Sequence, residues 1–164
     1  MTNQVWFAHI EGTDLSAACR KLLTLALGEP IQVAYLPNGK PWLPSRPEIQ
    51  ISLAHTRGAV AAAFSENPVG LDLEPLGRPI HPRLRGRCFT PQEQVYALDA
   101  AHALEVWTRK EASLKRDGRG IRVRLSEVET LGRSDLVSWQ KEGYQFSFCG
   151  VPPLFLWYQT DQKE

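Results

Sequence analysis

Two carboxylates stand two residues apart in the segment Gly70-Leu-Asp-Leu-Glu-Pro75. Because successive side chains of a strand point to opposite faces, Asp72 and Glu74 share one face, and Leu71 and Leu73 take the other. The two carboxylates repel each other unless a cation lies between them, and oxygen ligands at this spacing suit Mg²⁺. An edge strand with a solvated polar face explains the same pattern. Taken alone, the fragment favours that simpler explanation over a metal site.

The run from Trp107 to Gly120 combines an aromatic residue with acidic and basic residues at helical spacing. At 3.6 residues per turn, Trp107, Glu111 and Lys115 form one row. A Glu followed four residues later by a Lys stabilises a helix by about 0.2–0.5 kcal/mol, which is the purely structural explanation. An aromatic residue belongs on the buried side, however, so this row draws Glu111 and Lys115 towards an interior cleft. Charged groups in such a cleft need ionic or metal partners.

Two weaker signals precede these motifs. The segment Asn38-Gly39-Lys40-Pro41 places a lysine on a stiff loop, from which its ammonium can reach a phosphate. His55 stands at the predicted end of a strand, where side chains project into clefts. A lone histidine is more often a structural hydrogen-bonding group than a catalytic one. Neither signal establishes a function alone.

Length and composition limit the class of protein. The 164 residues are 43% hydrophobic and 23% charged, as in a globular protein with one domain or two small halves sharing a core. No apolar run approaches the ~18 residues of a membrane span, and the start lacks the pattern of a signal peptide. Cys19, Cys88 and Cys149 are too few for a disulfide framework or a zinc site. We therefore expect a soluble, cytoplasmic protein without a membrane partner.

The net charge of +1 conceals a segregation along the chain. Residues 1–77 carry a net charge of −2, residues 78–124 carry +6, and residues 125–164 carry −3. A basic middle segment suits a phosphorylated small molecule or an acidic protein face, although the charge alone favours a solvated helix face. Nucleic acid is disfavoured as a partner, because the segment lacks interleaved aromatics and the sequence pI of 7.8 is far below 9.

Caps and periodicity predict the elements that must position these residues, and they indicate an α+β protein. A helix is predicted over 15–27, capped by Thr13 or Asp14 and ended by Gly28. A second begins at the capping box of Thr90 and Glu93 and continues to about residue 116, with a break near residue 102 allowed. Segment 75–88 is predicted to be a loop. Strands are predicted over 31–35, 49–56, 59–65, 69–74, 136–140, 144–149 and 154–159.

The order of the motifs is more specific than any one of them. Five motifs follow one another between Asn38 and Ile121. In order, they are Gly-Lys-Pro, a strand with His, Gly-x-Asp-x-Glu, Phe-Thr-Pro-x-Glu and Trp-Thr-x-Lys-Glu-Ala-x-x-Lys-x-x-Gly-x-Gly. This series resembles the 4'-phosphopantetheinyl transferase family, in its Sfp-like branch. The resemblance implies two similar α+β halves related by a pseudo-twofold, with the active site between them. The halves would be residues 1–69, on the coenzyme A side, and residues 70–164, with the metal and catalytic motifs, in one compact unit.

The resemblance also implies an activity. Such an enzyme transfers the 4'-phosphopantetheine arm of coenzyme A to a serine of an apo acyl- or peptidyl-carrier protein and releases 3',5'-ADP. It requires Mg²⁺, and Mn²⁺ accepts the same ligand set. The expected protein is a monomer serving fatty acid, polyketide or nonribosomal peptide biosynthesis. The alternative is a non-catalytic module of the same family that binds coenzyme A or a carrier protein.

Roles follow for the residues that match the family's motifs. Asp72, Glu74 and Glu111 are the implied metal ligands. Glu111 is also the candidate acceptor of the serine proton, directly or through a water, and Lys115 is the implied contact to the pyrophosphate. The remaining implied contacts to coenzyme A are Lys40, His55, Thr56 and Lys110.

The resemblance extends to the partner and has limits in the N-terminal half. It implies an acidic helix on the carrier protein, and the local charge suggests that this helix meets the basic segment at Arg78, Arg83, Arg85 and Arg87. Ala54 replaces the first serine of the family's Ser-His-Ser, which removes a hydroxyl. The N-terminal half is shortened, and the only candidates for its basic coenzyme A contacts are Arg20, Lys21 and Arg57.

Overall fold

Nine strands and four α-helices position the candidate residues in the computed structural model, which describes residues 2–118 and 120–161. The strands are β1 (Gln4–His9), β2 (Ala34–Tyr35), β3 (Pro41–Trp42), β4 (Gln50–Thr56), β5 (Ala59–Ser65), β6 (Gly70–Pro75), β7 (Leu136–Lys141), β8 (Tyr144–Cys149) and β9 (Leu156–Asp161). The helices are α1 (Leu15–Leu27), α2 (Pro82–Cys88), α3 (Pro91–Tyr96) and α4 (Ala100–Asp117). Short 3-10 turns follow at Gly120–Arg122 and Leu125–Glu127. The α+β class is thereby confirmed.

The described strands form two main sheets and a small ribbon of β2 and β3. One sheet has the order β4-β5-β1-β9, and the other has the order β6-β8-β7. All pairings in them are antiparallel except that of β1 with β9, which is parallel. The C-terminal strand thus joins the sheet formed by the N-terminal strands. The division at residue 69 and the pseudo-twofold remain predictions.

The two sheets pack face to face, and α1 and α4 cover their outer faces. Leu71 and Leu73 of β6 share a buried cluster with Phe146 and Phe148 of β8 and with the inner faces of β1 and β5. The α1 side chains pack on the opposite face of the four-stranded sheet. The other face of the three-stranded sheet carries Asp72 and lies under α4. The leucines are therefore in the core, as the alternation predicts.

Gly70 determines how closely α4 approaches β6. A Cβ atom at this position would lie 1.8 Å from the carbonyl oxygen of Ala112 and 2.6 Å from the backbone nitrogen of Arg116. Only glycine leaves room for a helix backbone at that distance. The contact places the C-terminal half of α4 directly over the first residues of β6.

The predicted cap of α1 is confirmed, with Asp14 in the role. Its carboxylate accepts a hydrogen bond of 2.8 Å from the backbone N–H of Ala17. Gly28 ends the helix in the left-handed conformation, with φ of 72°. The capping box of α3 is also confirmed, because Thr90 and Glu93 each accept from the other's backbone.

The prediction of a loop over 75–88 is wrong, because α2 occupies its second half. The His81 side chain accepts from the backbone N–H of Arg83, and Pro82 occupies the first turn, where its missing N–H costs nothing. Arginine and leucine then favour the helix. The proline, glycine and arginine content of the segment concealed this helix.

Two further boundaries differ from the prediction by more than two residues. The helix over 90–116 is interrupted at residues 97–99 rather than near residue 102, and Asp99 caps α4 by accepting from the backbone N–H of His102. The strand predicted over 31–35 is reduced to Ala34–Tyr35. In the helix over 90–116, the cap at Asp99 starts a new helix although the helical periodicity is continuous there.

All three cysteines are buried free thiols. Burial raises the pKa of Cys19 to about 11, against a partial opposing effect of the Lys115 ammonium. Over residues 2–118 and 120–161, the helices include none with both the length and the apolar character needed to cross a bilayer.

Candidate active site

A cavity of 550 Å³ lies where α4 meets β4, α2 and the loop between β2 and β3. Four of the predicted site residues line it, namely Lys40, His55, Glu111 and Lys115. The apolar part of the wall includes Leu53, Leu84, Trp107 and Leu114. Its volume is that of an ordinary small-molecule site.

Lys115 links α4 to β6 at the wall of this cavity. Its Nζ donates to Oδ1 of Asp72 at 2.8 Å and to the carbonyl oxygen of Leu71 at 3.1 Å. The Asp72 side chain is 9% exposed, and its buried Oδ2 has no hydrogen-bond partner within the described part of the chain. Burial raises the pKa of Asp72, and the Lys115 ammonium opposes this effect. One carboxylate oxygen is therefore held, while the other is left for a further cation.

Glu111 lies beside this pair, one turn earlier on α4. Burial raises the pKa of its carboxyl group, and the negative charge of Asp72 raises it further. The positive charges of Lys115 and Arg78 partly offset the shift. A carboxylate with a raised pKa is a stronger base, so Glu111 suits proton transfer.

Glu74 forms an ion pair with Arg78, four residues later. A tight turn brings the two together, because Arg78 N–H donates to the Pro75 carbonyl at 3.1 Å and Gly77 has a φ of 84°. The Glu74 side chain is 13% exposed and that of Arg78 is 40% exposed. The third predicted metal ligand is thus engaged by a guanidinium.

The donors present fit a divalent cation with few protein ligands. Within residues 2–118 and 120–161, no three His, Cys, Asp or Glu side chains are grouped as a ready metal site. Mg²⁺ commonly takes one or two carboxylates and completes its shell with water and substrate phosphates. The unpartnered Oδ2 of Asp72 and the neighbouring Glu111 carboxylate supply two such oxygens.

The loop carrying Lys40 is docked on the C-terminal end of α4. The Nζ of Lys40 donates to the carbonyl oxygen of Arg116 at 2.8 Å, and burial lowers the pKa of this ammonium. A Cβ at Gly118 would lie 3.0 Å from the Asn38 side chain and 3.2 Å from that of Lys40, so the loop and the helix end fit closely. Lys40 therefore remains part of the cavity wall with one of its donors occupied.

His55 and Thr56 take different places at the end of β4. His55 is exposed and lines the cavity, on the same face of the strand as Leu53. Thr56 is the next residue, is half-buried and is not among the lining residues. The cavity thus includes the predicted histidine but not the predicted hydroxyl.

Lys110 lies outside the cavity, although it was predicted to contact the ligand. Its Nζ is fully buried and lies 2.6 Å from Oε2 of Glu93, and it donates to the carbonyl oxygens of Leu125 at 2.8 Å and Val128 at 2.6 Å. An ammonium has three donors, and all three are used. These contacts argue against the predicted contact with coenzyme A.

Sequence reasoning missed Ser52, which supports the site from the other sheet. Its Oγ accepts from the N–H of Leu71 at 2.9 Å, while the carbonyl of the same residue accepts from Lys115. Ser52 is buried and lines the cavity. The sequence signal that could have identified Ser52 was a small polar residue at an inward-facing position of a half-buried strand.

The four predicted carrier contacts divide into two pairs. Arg78 pairs with Glu74, and Arg85 donates to the carbonyl oxygen of Ala97. Arg83 and Arg87 are exposed and stand one helical turn apart on α2. The same short helix turns Leu84 and Cys88 towards the cavity. Exposed positive charge therefore lies next to the cavity wall.

Known proteins match the part of the chain that carries this site. A family model described as the 4'-phosphopantetheinyl transferase superfamily matches residues 68–162, which is more than half of the chain. The chain therefore belongs to this superfamily, and the predicted membership is confirmed.

Relatives with assigned names point to the Sfp-like branch. The chain is 33% identical over 95 residues to 4'-phosphopantetheinyl transferase psf-1 of Bacillus pumilus, covering 54% of this chain and 40% of that protein. It is 29% identical over 93 residues to 4'-phosphopantetheinyl transferase Sfp of Bacillus subtilis, covering 53% and 41% respectively. It is 28% identical over 93 residues to 4'-phosphopantetheinyl transferase ffp of Bacillus subtilis, covering 53% and 41%. The chain thus spans about two fifths of the length of these relatives.

Proposed function

We propose that this protein transfers the 4'-phosphopantetheine arm of coenzyme A to a serine of an apo acyl- or peptidyl-carrier protein. The observation that carries the proposal is the link from Lys115 to Asp72, with Glu111 beside it, at the wall of a ligand-sized cavity. The superfamily match over residues 68–162 includes all three residues. The names of the relatives support the same reaction.

In this reaction the serine oxygen attacks the phosphorus that carries the pantetheine arm. The bond from that phosphorus to the bridging oxygen breaks, and 3',5'-ADP leaves with the electron pair. Glu111 accepts the serine proton, directly or through a water, which suits its raised pKa. The Lys115 ammonium, held at the cavity wall, faces the oxygens on which negative charge grows.

Asp72, Glu74 and Glu111 are the proposed ligands of Mg²⁺ or Mn²⁺, with Oε1 of Glu74 held by Arg78. When bound, the metal neutralises phosphate oxygens and holds the reacting groups in line. Asp72 would offer the metal the oxygen that Lys115 does not hold. The ammonium and the metal would then both counter the negative charge of the pyrophosphate.

Coenzyme A is proposed to occupy the 550 Å³ cavity, with Lys40 and His55 at its wall. The exposed Arg83 and Arg87 are proposed to meet the acidic helix of the carrier protein, since opposite charges on two surfaces favour their encounter. The three free thiols support a reducing, cytoplasmic location. A monomer with pseudo-twofold halves is part of the same proposal.

The test is to incubate the protein with coenzyme A, Mg²⁺ and an apo carrier protein and to weigh the carrier. A gain of one phosphopantetheine supports the proposal. Glu111→Gln is expected to lower the rate at least ~100-fold, because it removes the proton acceptor. Glu127→Gln is the matched control, since that glutamate is exposed on a 3-10 turn.

The non-catalytic module of the same superfamily is the other outcome of this test. Retained binding of coenzyme A, with no mass gain on fatty acid, polyketide and nonribosomal peptide carriers, would establish it and overturn the transferase. Both outcomes must be tested because the chain spans only about two fifths of the length of its named relatives.

A further inference from the structure

The acidic cluster of the proposed site is balanced by two cations of the chain itself. Asp72, Glu74 and Glu111 supply the carboxylates, and Lys115 and Arg78 supply the positive charges. Lys115 holds Oδ1 of Asp72 at 2.8 Å, and Arg78 holds Oε1 of Glu74. Each cation holds one oxygen of its carboxylate, and Arg78 does so at the end of β6, on the third predicted ligand.

The guanidinium of Arg78 faces the whole cluster and not Glu74 alone. Its positive charge lowers the pKa of both Asp72 and Glu111, against the larger opposing effect of burial. The turn with its left-handed Gly77 returns the chain so that Arg78 reaches back to the end of β6. An arginine cannot lose its proton in a protein, so it can yield the carboxylate only by moving away.

We infer that Arg78 sets the affinity of the site for its divalent cation, because it holds Oε1 of Glu74 and brings a competing positive charge to the cluster. The inference rests on the proposed function, because it concerns the same metal site. It assigns Arg78 a positioning role towards the metal instead of the contact with the carrier protein that the basic segment suggested. The half-exposed guanidinium has room to move, since 40% of its side chain is open to solvent.

The experiment measures binding of Mn²⁺ alone to the full chain, by the loss of the electron paramagnetic resonance signal of free Mn²⁺. Arg78→Met removes the charge and keeps most of the aliphatic stem. We expect it to lower the Kd for Mn²⁺ by about three- to fivefold, the upper part of the range of a partly exposed ion pair. Arg83→Met makes the same change of charge on α2 and is expected to leave the Kd within about twofold. Adding Glu74→Gln to Arg78→Met should abolish the gain.

The outcomes separate this inference from the proposed function. Binding to the wild type with an unchanged or raised Kd in Arg78→Met overturns the inference and leaves the metal site standing. An equal gain in Arg83→Met also overturns it, because the effect would then be general electrostatics. Absence of Mn²⁺ binding in both proteins overturns the inference, whereas the metal-dependent reaction is decided separately by the transfer assay with coenzyme A. If Arg78→Met does not fold, Arg78→Lys tests the inference in its place. A lysine pairs more weakly with Glu74, so the inference requires that the Kd for Mn²⁺ still falls.

Discussion

The Nζ of Lys110 lies 2.6 Å from Oε2 of Glu93, and neither side chain is exposed to solvent. The pair joins α3 to α4. Lys110 also donates to the carbonyl oxygens of Leu125 and Val128, and the other carboxylate oxygen of Glu93 accepts from Thr130. The buried pair therefore fixes the segment after α4 against the helix, immediately beside Glu111.

Removing one member of this pair is expected to destabilise the protein strongly. Lys110→Met leaves the Glu93 carboxylate buried without its cation, which costs about 3–5 kcal/mol. Denaturant unfolding measures the loss, and Lys110→Met combined with Glu93→Gln should recover part of it. A loss below about 1 kcal/mol for the single variant would contradict the buried pairing.

Gly70→Ala is expected to displace α4 and to reduce both stability and transfer. The added methyl group would lie 1.8 Å from the Ala112 carbonyl oxygen, so the backbone itself must move. We expect a loss of about 3 kcal/mol or more, measured by thermal and denaturant unfolding.

Gly86→Ala is the matched control for this substitution. A Cβ at Gly86 meets nothing within 4 Å, and the residue lies inside α2, where alanine is the better helix former. This variant should be equal to the wild type or slightly more stable. Equal effects of the two substitutions would refute the close contact at Gly70.

Glu111→Gln is expected to stabilise the fold above the ordinary pKa of a glutamate while it impairs transfer. The pKa of Glu111 in the folded protein is raised above 4.5 by burial, so the folded state binds more protons and stability falls as the pH rises through that pKa. Glutamine cannot ionise and avoids this loss. The Tm of the variant should exceed that of the wild type near pH 7.5 and match it near pH 4.

The control for this pH dependence is Glu127→Gln, whose side chain is 67% exposed. It should show no difference between the two pH values. A constant difference in Tm for Glu111→Gln across this range would mean that ionisation of Glu111 does not oppose folding.

Charge reversal at Arg83 and Arg87 is expected to weaken binding of the carrier protein. The double substitution to Glu should raise the KM for the carrier about tenfold at low salt, with kcat nearly unchanged, because rim charges act mainly on encounter. The difference should shrink as salt is added. Steady-state transfer assays measure both constants.

Arg124→Glu is the matched reversal, at an exposed residue of the same basic segment outside α2. Its KM should stay close to that of the wild type. A similar rise in KM for Arg124→Glu would assign the effect to total charge and not to α2. If the KM for the carrier rises in the double variant of Arg83 and Arg87 regardless of salt, the substitutions have altered the structure.

Local signals predicted the elements that depend on local chemistry. The caps at Asp14 and Thr90 and the alternation in β4 and β6 were readable because each involves residues close in sequence. Helix α2 was missed because a histidine cap and an early proline look like a loop when read one residue at a time. The pairing of β9 with β1 was not predictable, since strand partners far apart in sequence leave no local pattern.

For the candidate site, the sequence indicated which charged residues to consider. The helical row places Glu111 and Lys115 at one cavity, and Lys115 reaches Asp72. The depth of Lys110 and the pairing of Glu74 with Arg78 depend on how helices and turns pack, so residue types alone could not predict them. Motif spacing identified the charged groups, and tertiary contacts determined which of them face the cavity.

The parallel pairing of β1 with β9 affects how the chain folds as it is synthesised. At ~5–20 residues per second, a ribosome needs on the order of ten seconds to make the residues between these two strands. During that interval one edge of β1 has its hydrogen-bonding groups unpaired, a state that invites association with other nascent chains. The four-stranded sheet is therefore completed late, and this edge of β1 stays open until β9 has been made.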